Sequence, residues 1–404
     1  MPVTVLARLN QRRLRAARGL LLLLPLGPGM SGCLTPMALD RVVMAYNDTI
    51  TEVVNQQILV NIARAKQHHP LHFTAVSSIA ATYNFNFNAG AAPAQTGNSL
   101  LAPFFGGSIS ENPTVSIVPI EGEEFTKRLL TPIQETKLTL LLRQGVDIDM
   151  ALRLMAQEFR VHYQGQDIVY ANRPTDRIGY PFFRRMVLHL SSIQDRNHLY
   201  VEPLIYTQSW TIPAATMSPE GFSTLEKDYQ IEFDRKNATY HLTRRVTGRI
   251  VITNYDPDDL PEDERIRLNQ EVSIAHPNEI TVDIRRGYPG GEFPIRGALR
   301  LRSFHNILDF IGKSIGEEPE YHVAPDPRTP PVTENPVHAL KIVESASRLE
   351  DAQIVARFNG SYYYPCPEQG YQWNLEAMRL LYQIYQMTVT ELPVFGTPSI
   401  TIAK

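Results

Sequence analysis

Residues 228–254, DYQIEFDRKNATYHLTRRVTGRIVITN, decide the fold class. Two runs rich in β-branched and aromatic residues, 228–234 and 238–244, flank Arg235-Lys236-Asn237, and residues 248–254 continue the same chemistry. Such residues fit a pleated, half-buried surface, and a short polar break between two such runs predicts a β-hairpin. A hairpin joins antiparallel neighbours. On either side, helical and strand patterns mix without the regular strand–helix–strand rhythm of a parallel sheet. The expected class is therefore α+β: mixed, mostly antiparallel sheets with a long N-terminal amphipathic helix and several shorter helices.

Outward from this stretch, strands are predicted at 199–206, 279–285 and 297–302, and helices at 180–196, 218–227, 261–272 and 303–315. Towards the N-terminus, helical spacing predicts helices at 122–131, 134–143 and 147–159, with Gly145 breaking the last two, after a strand at 113–120. Residues 71–87 alternate for much of their length and end in Tyr83-Asn84-Phe85-Asn86-Phe87, a strand with aromatics on one face and Asn on the other. The Gly, Ala, Pro, Gln and Asn of 88–113 interrupt that pattern and predict a long loop. Leu100, Leu101, Phe104 and Phe105 stand in it without periodicity. Four large apolar residues either tuck onto the body or meet a partner, so they are the candidate contact residues.

Towards the C-terminus, five prolines in 324–336 make the best linker candidate. Strands follow at 337–344, 353–358 and 361–365, then a helix at 374–388 and a short strand at 398–402. The resulting domain ranges are 1–32 (signal peptide), 33–178 (N-terminal helix, strands and a helical region), 179–323 (central α+β) and 337–404 (C-terminal α+β segment).

The N-terminus reads as an address. Arg8, Arg12, Arg13, Arg15 and Arg18 precede Gly19-Leu20-Leu21-Leu22-Leu23-Leu24-Pro25-Leu26, and Met30-Ser31-Gly32-Cys33 follows. A basic stretch, a short apolar stretch and small residues before the cut make a signal peptide, and the apolar run is far short of the roughly 20 residues a spanning helix needs. The last four residues look like a lipobox, in which the Cys receives diacylglycerol before cleavage. Cys33 is thus the expected lipidation site. Leu34 after it, by resemblance to the enteric sorting rule, favours the outer membrane, with the protein facing the periplasm.

Close behind comes Leu39, Val43, Tyr46, Ile50, Val53, Gln57, Val60, the spacing of a helix over about 38–66 with one buried seam. It either packs on its own domain or self-associates with a second copy, where one polar seam residue such as Gln57 sets the register.

Of 404 residues, 43% are hydrophobic and 20% charged, ordinary for a globular chain, and the net charge of −3 shows none of the basic surplus that nucleic-acid binding needs. There are two cysteines, Cys33 and Cys366, so acylation of the first leaves no internal disulfide. Cys366 lies between Pro365 and Pro367, with no positive charge nearby to activate its thiol, and reads as inert and half-buried.

No catalytic, metal or cofactor motif emerges. Gly312-Lys313-Ser314 lacks the first glycine of a phosphate loop, whose place Ile307 takes, and falls inside a helical pattern. His68, His69 and His72 are separated by Pro70, which prevents His68 and His72 from sharing a helix face. Asp256, Asp258 and Asp259 lack the spacing of a calcium loop.

Gln56-Gln57-Ile58-Leu59-Val60-Asn61-Ile62-Ala63-Arg64-Ala65 with Phe73-Thr74-Ala75-Val76-Ser77-Ser78-Ile79, and Glu111-Asn112-Pro113-Thr114-Val115 with Gly122-Glu123-Glu124-Phe125, resemble a group of uncharacterised proteobacterial lipoproteins. That resemblance reaches the C-terminal helix and Leu392-Pro393. It implies an address but no activity, cofactor or site residues. Over about 25 residues, Leu299 to Val323 is similar in topology, as strand, helix and strand, to small modules of secretins and other ring-forming envelope proteins.

The expected function is a membrane-anchored lipoprotein, a structural or assembly subunit of a cell-envelope complex. The alternatives are a lipid-anchored enzyme acting on an envelope polymer, or a glycan- or solute-binding module. Convergent carboxylates or His in a pocket would favour the enzyme and a deep apolar cleft the binder; unpartnered apolar surface would favour assembly.

Overall fold

The structure, a computed structural model, describes residues 34–93, 101–163, 166–388 and 401–403. The expected signal peptide, Cys33 and Leu100 lie outside these residues. The described residues divide into two units, one ending at Asn55 and one beginning at Gln56. The class is α+β, with a long first helix, shorter helices and mixed, mostly antiparallel sheets.

Helix α1 runs Leu34–Lys66 and contributes to both units. In the first unit Val43 and Met44 are 53% and 55% exposed, while Tyr46, Ile50 and Val53 of the expected seam are half-buried. In the second unit the buried stripe is Ile58, Leu59, Ile62, Ala63 and Ala65 rather than Gln57 and Val60. The last turns of α1 meet α8 (Phe304–Ser314) so closely that a Cβ on Gly312 would lie 2.7 Å from the Lys66 nitrogen. That close approach, not the 4-3-4-3 run, selects the buried face.

Two amides of α1 hold the chain that follows. Gln57 donates to the Thr74 carbonyl at 3.0 Å and accepts from the Thr74 N–H at 2.7 Å. Asn61, fully buried, donates to the His72 carbonyl at 2.8 Å and accepts from its N–H at 2.8 Å. Four helical residues rise about 6.0 Å and two strand residues about 6.6 Å. Amides at i and i+4 can therefore pair with the backbone at j and j+2, as a neighbouring strand would. Gln57, read above as a register device between copies, has its partners within the chain.

Strands β1 (Phe73–Pro93) and β2 (Leu101–Ile120) form one long antiparallel hairpin, with β13 (Thr401–Ala403) parallel to β1 at Thr82–Asn84. The loop expected at 88–113 is corrected: 88–93 and 101–113 are arms of this hairpin. The period of two is masked there because many positions on both faces are small, so neither face stands out in one arm alone.

Helices α2 (Glu123–Leu130), α3 (Glu135–Arg143) and α4 (Ile148–Met155) follow. The helix expected to reach 159 ends at Met155, and β3 (Ala156–Tyr163) and β4 (Gln166–Ala171) take over. Its helical spacing is lost at the point where Phe159 and Leu299 come into register between β3 and β9 (Ile295–Leu301). The main sheet is completed by β5 (Tyr200–Pro213), β6 (Gln230–Asp234), β7 (Thr239–Thr253) and β8 (Glu279–Ile284). Its order is β4-β3-β9-β8-β7-β5, with β6 on β7, and only the β7–β8 pair is parallel. This sheet takes strands from both sides of the expected boundary at 178/179.

Helix α5 (Gly179–Gln194) packs on α4 at the centre of the core, where Tyr180, Phe183, Met186, Val187, Leu188 and Leu190 have no exposed surface. Helices α6 (Pro219–Leu225) and α7 (Glu262–Val272) lie along the chain between the later strands. After α8, residues 317–341 contain no strand, so the strand that the secretin-like likeness required is missing. A small sheet of β10 (Ile342–Ser345), β11 (Ala356–Phe358) and β12 (Ser361–Pro365) precedes α9 (Trp373–Thr388). Phe73, at the root of the hairpin, joins these parts: its ring stacks on Tyr385 at 4.9 Å and meets Phe304 and Phe125 at 6.2 Å each.

Candidate functional site

A group of ionisable side chains is buried between α4, α5 and the stretch after α8. Helix α4 places Asp149 and Arg153 one turn apart, and α5 places Tyr180 and Arg184 one turn apart. Arg153, with no exposed surface, donates to Glu320 at 2.6 Å and to the carbonyls of Pro336 and Val337 at 2.8 and 2.6 Å. Arg184 pairs with Asp149 and donates to Asn335 at 3.1 Å. Tyr180 donates to Glu320 at 3.2 Å, and the Ala339 N–H donates to its other oxygen at 2.7 Å. Burial pulls the Arg153 guanidinium down, but Glu320 and Asp149 outweigh it and hold the group above its ordinary value. Burial and Glu320 push the Tyr180 hydroxyl up.

Most of their hydrogen bonds go to another member, to the Asn335 side chain or to the backbone of residues 336–339, while Asp149 Oδ2 and Arg153 Nε are buried with no hydrogen-bond partner among the described residues. A buried charge so engaged is costly to release and poorly suited to exchange protons with a substrate. Its effect is to fasten the proline-rich segment. Other bonds act likewise: Asp195 accepts from Thr333 through both its N–H (3.0 Å) and hydroxyl (2.7 Å), and His189 bonds Thr329 at 3.1 Å. Residues 324–336, read as a linker, are therefore tied to the core.

Arg302 is buried beside this group and caps α4. It donates to the Arg153 and Leu154 carbonyls at 2.9 and 3.1 Å and to the Asn172 carbonyl at 2.8 Å. Burial pulls it down to about 9, still charged at neutral pH, where it answers the negative end of the helix. At the other end of α4, Asp147 is the N-cap and accepts from Asp149 and Met150 N–H at 2.7 and 3.3 Å. Burial, then the neighbouring Asp149, push its carboxyl up to about 6.

Surface clefts carry mixed charge. One, of about 360 Å³, is lined by Glu264, Glu271 and Asp283 against Arg267, Arg285 and Arg296. Arg285 bonds Asp283 at 2.7 Å and Glu264 at 2.5 Å, and Arg296 pairs with Glu271, so these charges neutralise one another. The histidines singled out above are apart in role: His68 pairs with Glu317 at 3.0 Å and His69 meets the Phe358 ring edge-on. Among the described residues no group of three or more His, Cys, Asp or Glu is placed to hold a metal ion. Cys366 is half-buried, with its thiol 3.8 Å from the Pro367 carbonyl.

The predicted contact residues are on the hairpin. Leu101, Phe104 and Phe105 pair in register with Pro93, Gly90 and Ala89. Alternation assigns Leu101 and Phe105 to one face of the ribbon and Phe104 to the other. What sequence reasoning missed is that Phe85 and Phe87 share a face with Leu101 and Phe105. The signal was present as the Phe/Asn alternation of 83–87, but the register that carries it into the second arm is not visible in one strand. No helix among the described residues is long and apolar enough to cross a membrane. No protein-family model, curated protein or solved structure matches the chain.

Proposed function

We propose that this chain is a lipoprotein anchored through Cys33 in the outer membrane, facing the periplasm, and that it serves as a structural or assembly subunit of an envelope complex. The observation that carries the assembly role is the hairpin. Its arms are 21 and 20 residues long, and beyond Thr82–Asn84 no strand among the described residues pairs with its outer edges. Unpaired edges of that length are templates for further strands, and natural proteins usually shorten, charge or cover them. Here the arms hold no charged residue before Glu111. The exposed Val43 and Met44 of α1 offer a second apolar surface. Affinity purification of the full chain from detergent-solubilised envelopes, followed by mass spectrometry and light scattering, tests the role. A stable oligomer or a reproducible envelope partner is expected, and a strict monomer with no co-purifying protein would refute it.

A further inference from the structure

We infer that Asn84–Pro93 and Leu101–Ser110 are the arms of a membrane-inserting hairpin, and that copies of this chain pair these arms edge to edge into one transmembrane β-barrel with an aqueous interior. The inference builds on the assembly role just proposed.

The register defines two faces with different chemistry. On one lie the pairs Phe85/Ile109, Phe87/Gly107, Ala89/Phe105, Ala91/Pro103 and Pro93/Leu101. On the other lie Asn84/Ser110, Asn86/Ser108, Asn88/Gly106, Gly90/Phe104 and Ala92/Ala102. The first is apolar throughout. The second is polar without charge over its first three pairs and, beyond them, small except at Phe104. A ribbon packed on a protein core has no need for so complete an absence of charge on its other face, which water would meet. Phe73 to Ser110 holds no Asp, Glu, Lys, Arg or His, and the residues between the arms, Ala94-Gln95-Thr96-Gly97-Asn98-Ser99-Leu100, are uncharged too.

The lengths agree. The charge-free, alternating part is ten residues on each arm, Asn84–Pro93 and Leu101–Ser110, bounded by the pair Tyr83/Glu111. A transmembrane strand takes about 9–11 residues when tilted about 45°, and aromatic residues gather where the apolar band ends. Tyr83 and the first carboxylate occupy that boundary. Among the described residues, β13 covers β1 only at Thr82–Asn84, and no other strand pairs with the outer edges of this span. Free edges are not tolerated in hydrocarbon, because each unmet N–H or C=O costs several kcal/mol. A lone hairpin cannot insert, so closure with other copies follows. A barrel needs at least about eight strands, hence four or more chains. Pro93 and Pro103, near the tip ends of the two arms, each lack an N–H to donate.

The test uses full-length lipidated protein reconstituted in phosphatidylethanolamine–phosphatidylglycerol vesicles, in a Cys366→Ser background. Single cysteines are placed at 84 to 88 and at 105 to 110. The expected result is a period of two: positions 84, 86, 88, 106, 108 and 110 react with a water-soluble thiol reagent, while 85, 87, 105, 107 and 109 react at least tenfold more slowly. Uniform fast reaction along both arms would overturn the inference, as would uniform protection. A second measurement needs no labelling. Planar bilayers should show channels, and Asn86→Asp should shift their selectivity towards cations while Phe87→Asp abolishes them. Channels that survive Phe87→Asp with unchanged selectivity in Asn86→Asp would also overturn it. Stable oligomers whose hairpins are uniformly reactive would leave the assembly role standing and remove the barrel alone.

Discussion

Replacing Asp147 by Asn should stabilise the protein at pH 8 and not at pH 3.5. The carboxyl is half-buried at the N-terminus of α4, and burial and Asp149 raise it from 3.8 to about 6, with Asp195 adding a smaller push. An acid raised in the folded state binds its proton more readily there than in the unfolded chain. Between about pH 4 and pH 6 the folded state therefore holds more protons, and stability falls as pH rises through that window. Above it the full penalty is present: about two pH units at about 1.4 kcal/mol each give roughly 3 kcal/mol. Asn caps as well as Asp does and keeps the acceptor for Asp149 and Met150 N–H. The variant should gain about 2–3 kcal/mol at pH 8, converge with the parent near pH 3.5, and lose the decline between pH 4 and 6. Urea unfolding of residues 34–404 at several pH values, followed by circular dichroism, reads this directly. Destabilisation of the variant at pH 8 but not at pH 3.5 would show instead that the Asp147 charge holds α4 in place and that its burial carries no net penalty.

Three further outcomes follow from the packing. Asn61→Leu leaves both backbone groups of His72 unpaired beneath α1 and should cost about 2–4 kcal/mol in urea unfolding, whereas Gln57→Leu at the half-buried end should cost less. Arg153→Met strips Glu320 of its countercharge and frees the Pro336 and Val337 carbonyls, so limited proteolysis should cut within 324–341 much faster; Arg153→Met with Glu320→Met should recover part of the loss, and no difference between single and double variants would contradict coupling. Gly312→Ala should destabilise by about 1–3 kcal/mol, since its Cβ would lie 2.7 and 3.0 Å from α1 backbone atoms; an unchanged melting temperature would place the last turns of α1 elsewhere.

Local chemistry made most of the elements legible. The hairpin around Arg235-Lys236-Asn237 and the helices at 179–194, 304–314 and 373–388 follow from spacing within single segments. What remained hidden depends on partners far along the chain. Arg153 and Glu320 are 167 residues apart, and nothing near either shows that the proline-rich stretch between Val323 and Val337 is fastened rather than free. Strand β3 begins directly after α4 without a turn signal, because Arg302, from 149 residues away, caps the helix. The second arm of the long hairpin was illegible for a related reason: its alternation of Gly, Ser, Pro and Phe has meaning only opposite the Asn and Phe of the first arm. The likeness of 299–323 to a secretin module failed because the chain after α8 is committed to the buried charge network instead of a sheet edge.

The proposed membrane address rests on Cys33, and mass spectrometry of the N-terminal peptide of protein isolated from envelopes tests that proposal. The expected peptide begins at Cys33 and carries a thioether-linked diacylglyceryl group, with a third acyl chain on its amine. Two or more chains hold a protein at a membrane firmly, at about 0.8 kcal/mol per buried CH₂, where one holds it only marginally. A peptide with unmodified Cys33, or cleavage at any other residue, would contradict it.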